Sequence, residues 1–289
     1  PQPQPQPRPQ AQPQPQPQPR PQAQPQPQPQ PQAQAQPQPR PRPRPQAQAQ
    51  QRAGAQVPPP AAAHAAYAVH GKRKLLFIGD SLVTGVGCSP EVGLGPALPR
   101  AVAEAVSRRL RQDVEWAALG HTGGNVREIV TSQMPRMRAE VARASSSGER
   151  FDAVVIVVGL NDIKKAYRGL QFTASAFRSE LEELVRNTQQ ATGEQCVVVL
   201  PALPVHRAPV FDKMWPLQPF LHDLAALWDD QKRALAHSLR RVRFVQNAEG
   251  TEWWASARYW AADGIHPNDE GYRIWGEHIA QGVLESGTG

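Results

Sequence analysis

Residues 74–82, Lys-Leu-Leu-Phe-Ile-Gly-Asp-Ser-Leu, decide the reading of this chain. Lys74–Ile78 is an apolar run of strand length that stops at a glycine, and a short polar turn follows it directly. The same grammar recurs downstream. Val114–Leu119 reads as a second, weaker strand, and Ala153–Val158 is an uninterrupted Val/Ile run of the kind that is covered on both faces. Cys196–Leu200 and Val242–Val245 complete five strands. Between and after them lie stretches with helical spacing: Pro96–Leu110, Val126–Val141, Phe172–Thr192, Leu217–Leu239 and Asn268–Val283. Pro135 falls inside the second of these, where a kink or break is expected. Five strands alternating with five helices give an α/β fold with a doubly wound parallel sheet, its helices on both faces.

Ligands of such folds bind beyond the carboxyl ends of the strands, so the turns after the strands carry the functional reading. They are Gly79-Asp80-Ser81-Leu82, Gly120-His121-Thr122-Gly123-Gly124-Asn125, Gly159-Leu160-Asn161-Asp162 and, after a Trp-rich loop, Asp263-Gly264-Ile265-His266-Pro267. Each supplies a residue type that acyl transfer needs. A serine hydroxyl becomes an effective nucleophile when a neighbouring base takes its proton, and His266 can be that base for Ser81. The base needs a partner that fixes its tautomer, which Asp263 can be. A tetrahedral intermediate needs donors aimed at its oxyanion. The backbone N–H groups of Ser81 and Gly123 and the side-chain amide of Asn161 can supply three. Gly120 competes with Gly123 for that role, and Gly123 is preferred. Asp80 is read as a structural residue bonding nearby backbone, and His121 as a bystander.

These four blocks, in this order, resemble the SGNH hydrolases, a branch of the GDSL lipase/esterase family. Gly79-Asp80-Ser81-Leu82 matches the first block, Leu119–Gly123 the second, Gly159-Leu160-Asn161-Asp162 the third and Asp263–Asn268 the last. The second block departs from the family's pattern, since Trp116-Ala117-Ala118 stands where an Asn often precedes the glycine. The resemblance implies a flavodoxin-like three-layer α/β/α sandwich with a five-stranded parallel sheet. It implies an esterase in which Ser81, Asp263 and His266 form the triad, Ser81, Gly123 and Asn161 the oxyanion hole, and no metal or organic cofactor takes part. Family members include lipases, lysophospholipases, thioesterases and carbohydrate acetylesterases. The absence of a long lid insertion favours small, soluble or short-acyl esters.

Composition divides the 289 residues. Residues 1–60 hold 22 of the 32 prolines, with Gln, Ala and Arg, and no acidic or aromatic residue. Such a segment has almost nothing to bury, so residues 1–70 are expected to be a disordered, extended tail. Residues 71–286 are the hydrolase domain, roughly 210 residues of globular composition, and 287–289 a C-terminal end. Six arginines of the tail account for six of the net charge of +7. They stand singly without interleaved aromatics, so no nucleic-acid partner is expected. The strict Pro-x-Pro alternation lacks the i, i+3 proline pair of an SH3-type ligand. No run reaches the length of a membrane span. No signal peptide is expected in these residues, and the start at Pro1 without Met leaves an earlier targeting segment open. Cys88 and Cys196, the two cysteines, fall at opposite ends of the expected sheet, and no disulfide is expected.

Two groups of aromatic and apolar residues stay open. Val205, Phe211, Met214 and Trp215 either line an acyl pocket or plug the end of the core. Trp253, Trp254, Tyr259 and Trp260 either form a platform for sugar or acyl groups or anchor the last loop by burial. Trp215 and Trp260 are the substrate-binding candidates. The remaining histidines show no metal-ligand spacing. Two other readings compete with the esterase. Ser81-Leu82-Val83-Thr84-Gly85 superficially fits a flavin phosphate loop but leaves Asp263 and His266 unexplained. A non-catalytic binding module tethered by the Pro/Gln tail would not need four complete blocks.

Overall fold

The computed structural model describes residues 72–89, 94–166, 173–204, 208–216, 218–247 and 256–285. The tail assigned to residues 1–70, the end at 287–289, and Val205, Trp253 and Trp254 lie outside the described residues. The strands are β1 (Arg73–Gly79), β2 (Val114–Gly120), β3 (Ala153–Val157), β4 (Val197–Pro201) and β5 (Val242–Val245). They form one sheet in the order β2-β1-β3-β4-β5, and all four neighbouring pairs are parallel. The helices are α1 (Ser81–Thr84), α2 (Ala97–Leu110), α3 (Val126–Ser146), α4 (Leu160–Ala166), α5 (Ala174–Thr192), α6 (Pro209–Asp212), α7 (Gln218–Ser238) and α8 (Asp269–Leu284).

The two-residue period of a strand divides the sheet's side chains between two cores. Leu75, Phe77, Val155, Val157 and Val199 pack with α2 and α8 residues such as Val102, Tyr272, Trp275 and Ile279. Leu76, Ile78, Val154, Ile156, Val198 and Leu200 pack with α3, α5 and α7, including Ile129, Leu181, Leu184 and Trp228. Both faces are therefore covered, giving the three-layer α/β/α fold expected from the alternation. β3, with every residue buried, is the sheet's centre. Its Val/Ile content is the physical signature of that position.

Pro135 does not break its helix, contrary to one of the two expected outcomes. α3 runs unbroken from Val126 to Ser146 with Pro135 inside it. A proline there removes the hydrogen bond to the carbonyl four residues earlier, here that of Thr131. Both residues are exposed, so water can take that carbonyl, while Met134 and Met137 on the inner face stay buried in the core. Tertiary packing of the apolar stripe carries the helix across the local penalty. Asn125 strengthens its start: its side chain accepts from Glu128 N–H and the Glu128 side chain accepts from Asn125 N–H, a complete capping box.

Pro135→Ala restores the missing bond at an exposed position. Against about 3 kcal/mol for a mid-helix proline stands up to about 1 kcal/mol of regained unfolded-chain entropy. A net gain of about 1–2 kcal/mol is expected, and thermal unfolding should show it as a rise in Tm of several degrees. An unchanged or lower Tm would mean that the helix pays nothing for the proline.

Candidate active site

All four turns picked out in the sequence emerge at the carboxyl edge of the sheet, but two of them are the first turns of helices. Ser81 opens α1, a single turn whose N-cap is Asp80. One Asp80 carboxylate oxygen accepts from Leu82 N–H at 3.0 Å. The other accepts from the Asn161 side-chain amide at 3.2 Å. The Asp80 N–H donates to the Val157 carbonyl at 3.3 Å, joining the turn to β3. Asn161, which the sequence places on a turn, lies in the first turn of α4. That helix has seven residues, too short for its period to show in sequence.

Asp263 and His266 stand in the tight loop before α8. Ala261 N–H donates to the His266 carbonyl at 2.8 Å and Gly264 N–H to the Ala261 carbonyl at 2.9 Å. Trp260 and Pro267 form an antiparallel bridge across the loop. Asn268 closes it: its amide donates to the Arg258 carbonyl at 2.7 Å, and its side-chain oxygen accepts from Gly271 N–H to cap α8. Within this frame one oxygen of Asp263 accepts from the N–H groups of Ile265 and His266, both at 3.0 Å. Its other oxygen lies 2.6 Å from His266 Nδ1. His266 Nε2 lies 2.9 Å from Ser81 Oγ. The predicted nucleophile, base and orienting carboxylate therefore form one unbroken chain of hydrogen-bond contacts.

The N–H groups of Ser81 and Gly123 have no partner among the described residues. The two candidate glycines divide by environment. Gly120 ends β2, and a Cβ there would strike the Thr84 methyl at 2.2 Å, so its role is close packing of β2 on α1. Gly123 has φ of 79° and nothing within 4 Å of a notional Cβ, so it is an open, left-handed turn at the surface. The hydroxyls of Thr84 and Thr122, 2.8 Å apart, link that turn to α1. Asn161 is less free than expected. Its amide nitrogen donates to both Asp80 and, at 3.1 Å, the Gly124 carbonyl. A backbone carbonyl only accepts, which fixes the amide orientation.

The carboxylates of the site are tuned in opposite directions. Complete burial pushes Asp80 up to about 7, against the lowering effect of Leu82 N–H. Burial likewise raises the neighbouring Asp162 to about 6, although Val126 N–H at the start of α3 donates to it. For Asp263 burial acts upward, but the N–H groups of His266 and Ile265 and the His266 ring outweigh it and hold the carboxyl below its usual range.

The other candidates separate clearly. Trp215 is 74 % exposed and Met214 is exposed beside it, so neither plugs the core. They follow α6, whose Val210 N–H donates to the Gly264 carbonyl of the loop before α8 at 3.0 Å. Trp260 is 6 % exposed and packed in the core against the α2–α8 layer, which is the anchoring arrangement. His121 contacts Ser132 Oγ at 2.9 Å. Cys88 and Cys196 are free thiols. Among the described residues no cluster of three or more His, Cys, Asp or Glu could hold a metal ion, and no helix is long and apolar enough to cross a membrane.

Ser81, His266 and Asp263 thus meet at the carboxyl edge of a parallel α/β sheet, and comparison with known proteins gives the family. The model of the GDSL-like lipase/acylhydrolase family matches residues 77–274, and the chain belongs to that family. It is a carboxylic ester hydrolase by class. No curated protein matches significantly. Solved structures share the fold. A lipase from a goat rumen metagenome is 17 % identical, with a TM-score of 0.52 over 75 % of this chain and 98 % of its own. An acetylxylan esterase from Geobacillus stearothermophilus is 18 % identical, with a TM-score of 0.51 over 73 % and 94 %. A carbohydrate acetylesterase from Sinorhizobium meliloti is 18 % identical, with a TM-score of 0.51 over 74 % and 99 %.

The raised Asp80 makes stability depend on pH. Between about pH 4 and 7 the folded state holds a proton on Asp80 that the unfolded chain releases, so this contribution falls as pH rises and is lost above about 7. Urea unfolding of wild type and Asp80→Asn at several pH values from 4.5 to 7.5 should show the wild type losing stability relative to the variant as pH rises. Parallel curves would mean that Asp80 does not titrate there.

Proposed function

We propose that the protein hydrolyses carboxylic esters of small molecules through an acyl-enzyme on Ser81. The observation that carries this reading is the continuous contact from Asp263 through His266 to Ser81 Oγ, at 2.6 and 2.9 Å. Neutral His266 donates its Nδ1 proton to Asp263, which leaves the Nε2 lone pair to accept the Ser81 proton. Ser81 Oγ attacks the ester carbonyl, His266 takes the proton and returns it to the leaving alcohol, and water then repeats the sequence on the acyl-enzyme. The unpaired N–H groups of Ser81 and Gly123 receive the oxyanion. Asn161 joins them when its contact with Gly124 is shared with, or yielded to, the substrate oxygen. Trp215, exposed on a segment hung from the loop that carries His266, offers apolar surface to the substrate's acyl or alcohol part. Trp260 acts on the loop rather than on substrate.

The deciding assay is hydrolysis of p-nitrophenyl acetate, butyrate, octanoate and palmitate by wild type and Ser81→Ala. The expected result is turnover highest on the short esters and a loss of at least ~10³-fold in the variant. A wild type that neither hydrolyses any ester nor reacts with a fluorophosphonate would favour a non-catalytic binding module instead.

Asn161→Ala should lower kcat about 10²-fold with KM little changed, as loss of an oxyanion donor does. A variant with wild-type kcat would assign Asn161 a purely structural part between Asp80 and Gly124.

A further inference from the structure

Ser81 and His266 are 185 positions apart and belong to different elements. Their contact requires that α1 and the loop before α8 be held in register. The segment that joins them is Gly85–Ser89, directly after α1. Val86 N–H donates to the Ser81 carbonyl at 3.0 Å, so the segment begins on the nucleophile's own backbone. The Val86 carbonyl accepts from the Tyr272 hydroxyl of α8 at 2.8 Å. Gly87, at φ of 96°, is pressed against the loop: a Cβ there would meet the Pro267 carbonyl oxygen at 2.5 Å and His266 Cβ at 2.9 Å. Ser89 N–H donates to the Asp269 carboxylate at 2.8 Å, where α8 begins. One peptide unit on each side of Val86 thus connects Ser81 to α8, and the next residue backs the histidine.

Tyr272 is fully buried, and its ring belongs to the core between the sheet and α2. A phenylalanine would fill that space equally well, so packing alone does not call for the hydroxyl. Burial also holds the phenol far above its ordinary range, so it remains a donor throughout the working pH range.

Resting on the esterase reading of Ser81 and His266, we propose that Tyr272 is a positioning residue. Through Val86 and Gly87, its hydroxyl sets where the His266 ring stands relative to Ser81 Oγ. Without that bond the Gly85–Ser89 strap is held to α8 by the Ser89–Asp269 contact alone, and the surface behind the His266 Cβ is free to shift. Attack geometry is sensitive at this scale, since a displacement of about 1 Å can cost ~10²-fold in rate.

The test uses the full chain with Tyr272→Phe and, separately, Gly87→Ala. The measurements are kcat and KM on p-nitrophenyl acetate, thermal unfolding, and the ring signals of His266 by ¹⁵N-histidine NMR. For Tyr272→Phe the expected result is kcat down ~10-fold with KM within about twofold, Tm close to wild type, and displaced His266 ring signals. Gly87→Ala, which pushes a methyl against His266, should displace those signals further and lower kcat by ~10²-fold. Wild-type kcat with unmoved ring signals in Tyr272→Phe would overturn the proposal. So would a fall in kcat that matches the loss of folded protein while the ring signals of the folded fraction stay in place. The NMR readout needs no turnover. A wild type that cleaves no ester would therefore remove the esterase reading, while the ring signals would still decide whether Tyr272 positions His266.

Discussion

The buried carboxylate of Asp80 is the joint on which the site is assembled. It stands at the carboxyl end of β1 with no exposed surface, and each of its oxygens has a fixed task. One caps α1 through Leu82 N–H, and the other holds the Asn161 amide of α4. Its N–H joins the Val157 carbonyl of β3. Two segments far apart in sequence, β1–α1 and β3–α4, thereby meet at one residue. Capping α1 at its second residue leaves the first N–H, that of Ser81, without an intrahelical partner, which is the condition for that group to face a substrate oxygen. The cost of burying this acid is visible in its upward shift to about 7. A carboxyl group placed so unfavourably is tolerated because its hydrogen bonds organise the turn.

The sheet supplies the rest of the geometry. With α2 and α8 on one face and α3, α5 and α7 on the other, a parallel sheet offers open surface only at its ends. Alternate side chains of β1 and β3 go to opposite cores, so neither strand can present a polar residue without disturbing one of them. Chemistry is therefore confined to the turns. The alternation of Ser81, Gly123, Asn161 and His266 with buried strands is a consequence of this layering as much as of the reaction.

That layering is also why so much was legible in sequence. Apolar runs predict the strand positions to within a residue or two, and the Gly-punctuated turns that follow them hold Ser81, Gly123, Asn161 and, beyond a Trp-rich loop, Asp263 and His266. What escaped was what neither period nor turn chemistry encodes. α4 is seven residues long and hides in a motif that reads as a turn. The continuity of α3 through Pro135 depends on Met134 and Met137 being buried, a tertiary fact. The engagement of Asn161 by Asp80 and Gly124 needs three segments in place before it exists. Tyr272 carries no sequence signal of its own, because nothing local marks a hydroxyl that bonds a carbonyl 186 positions earlier.

The exposure of Asp263 bears on how the histidine is held. Its side chain is 42 % exposed, against 10 % for His266, so solvent screens its charge and its Coulombic contribution is small. Its part is then chiefly orientation: two backbone N–H groups fix one oxygen, and the other meets His266 Nδ1 at 2.6 Å. Orientation of this kind is no better than the rigidity of the loop that provides it. The loop gains that rigidity from the Trp260–Pro267 bridge, the Asn268 bonds and the burial of the Trp260 indole in the core. An aromatic residue that sequence offered either as a substrate contact or as a buried anchor is hidden in the core. Taken out of solvent and bridged to Pro267, Trp260 anchors the loop on which Asp263 and His266 stand.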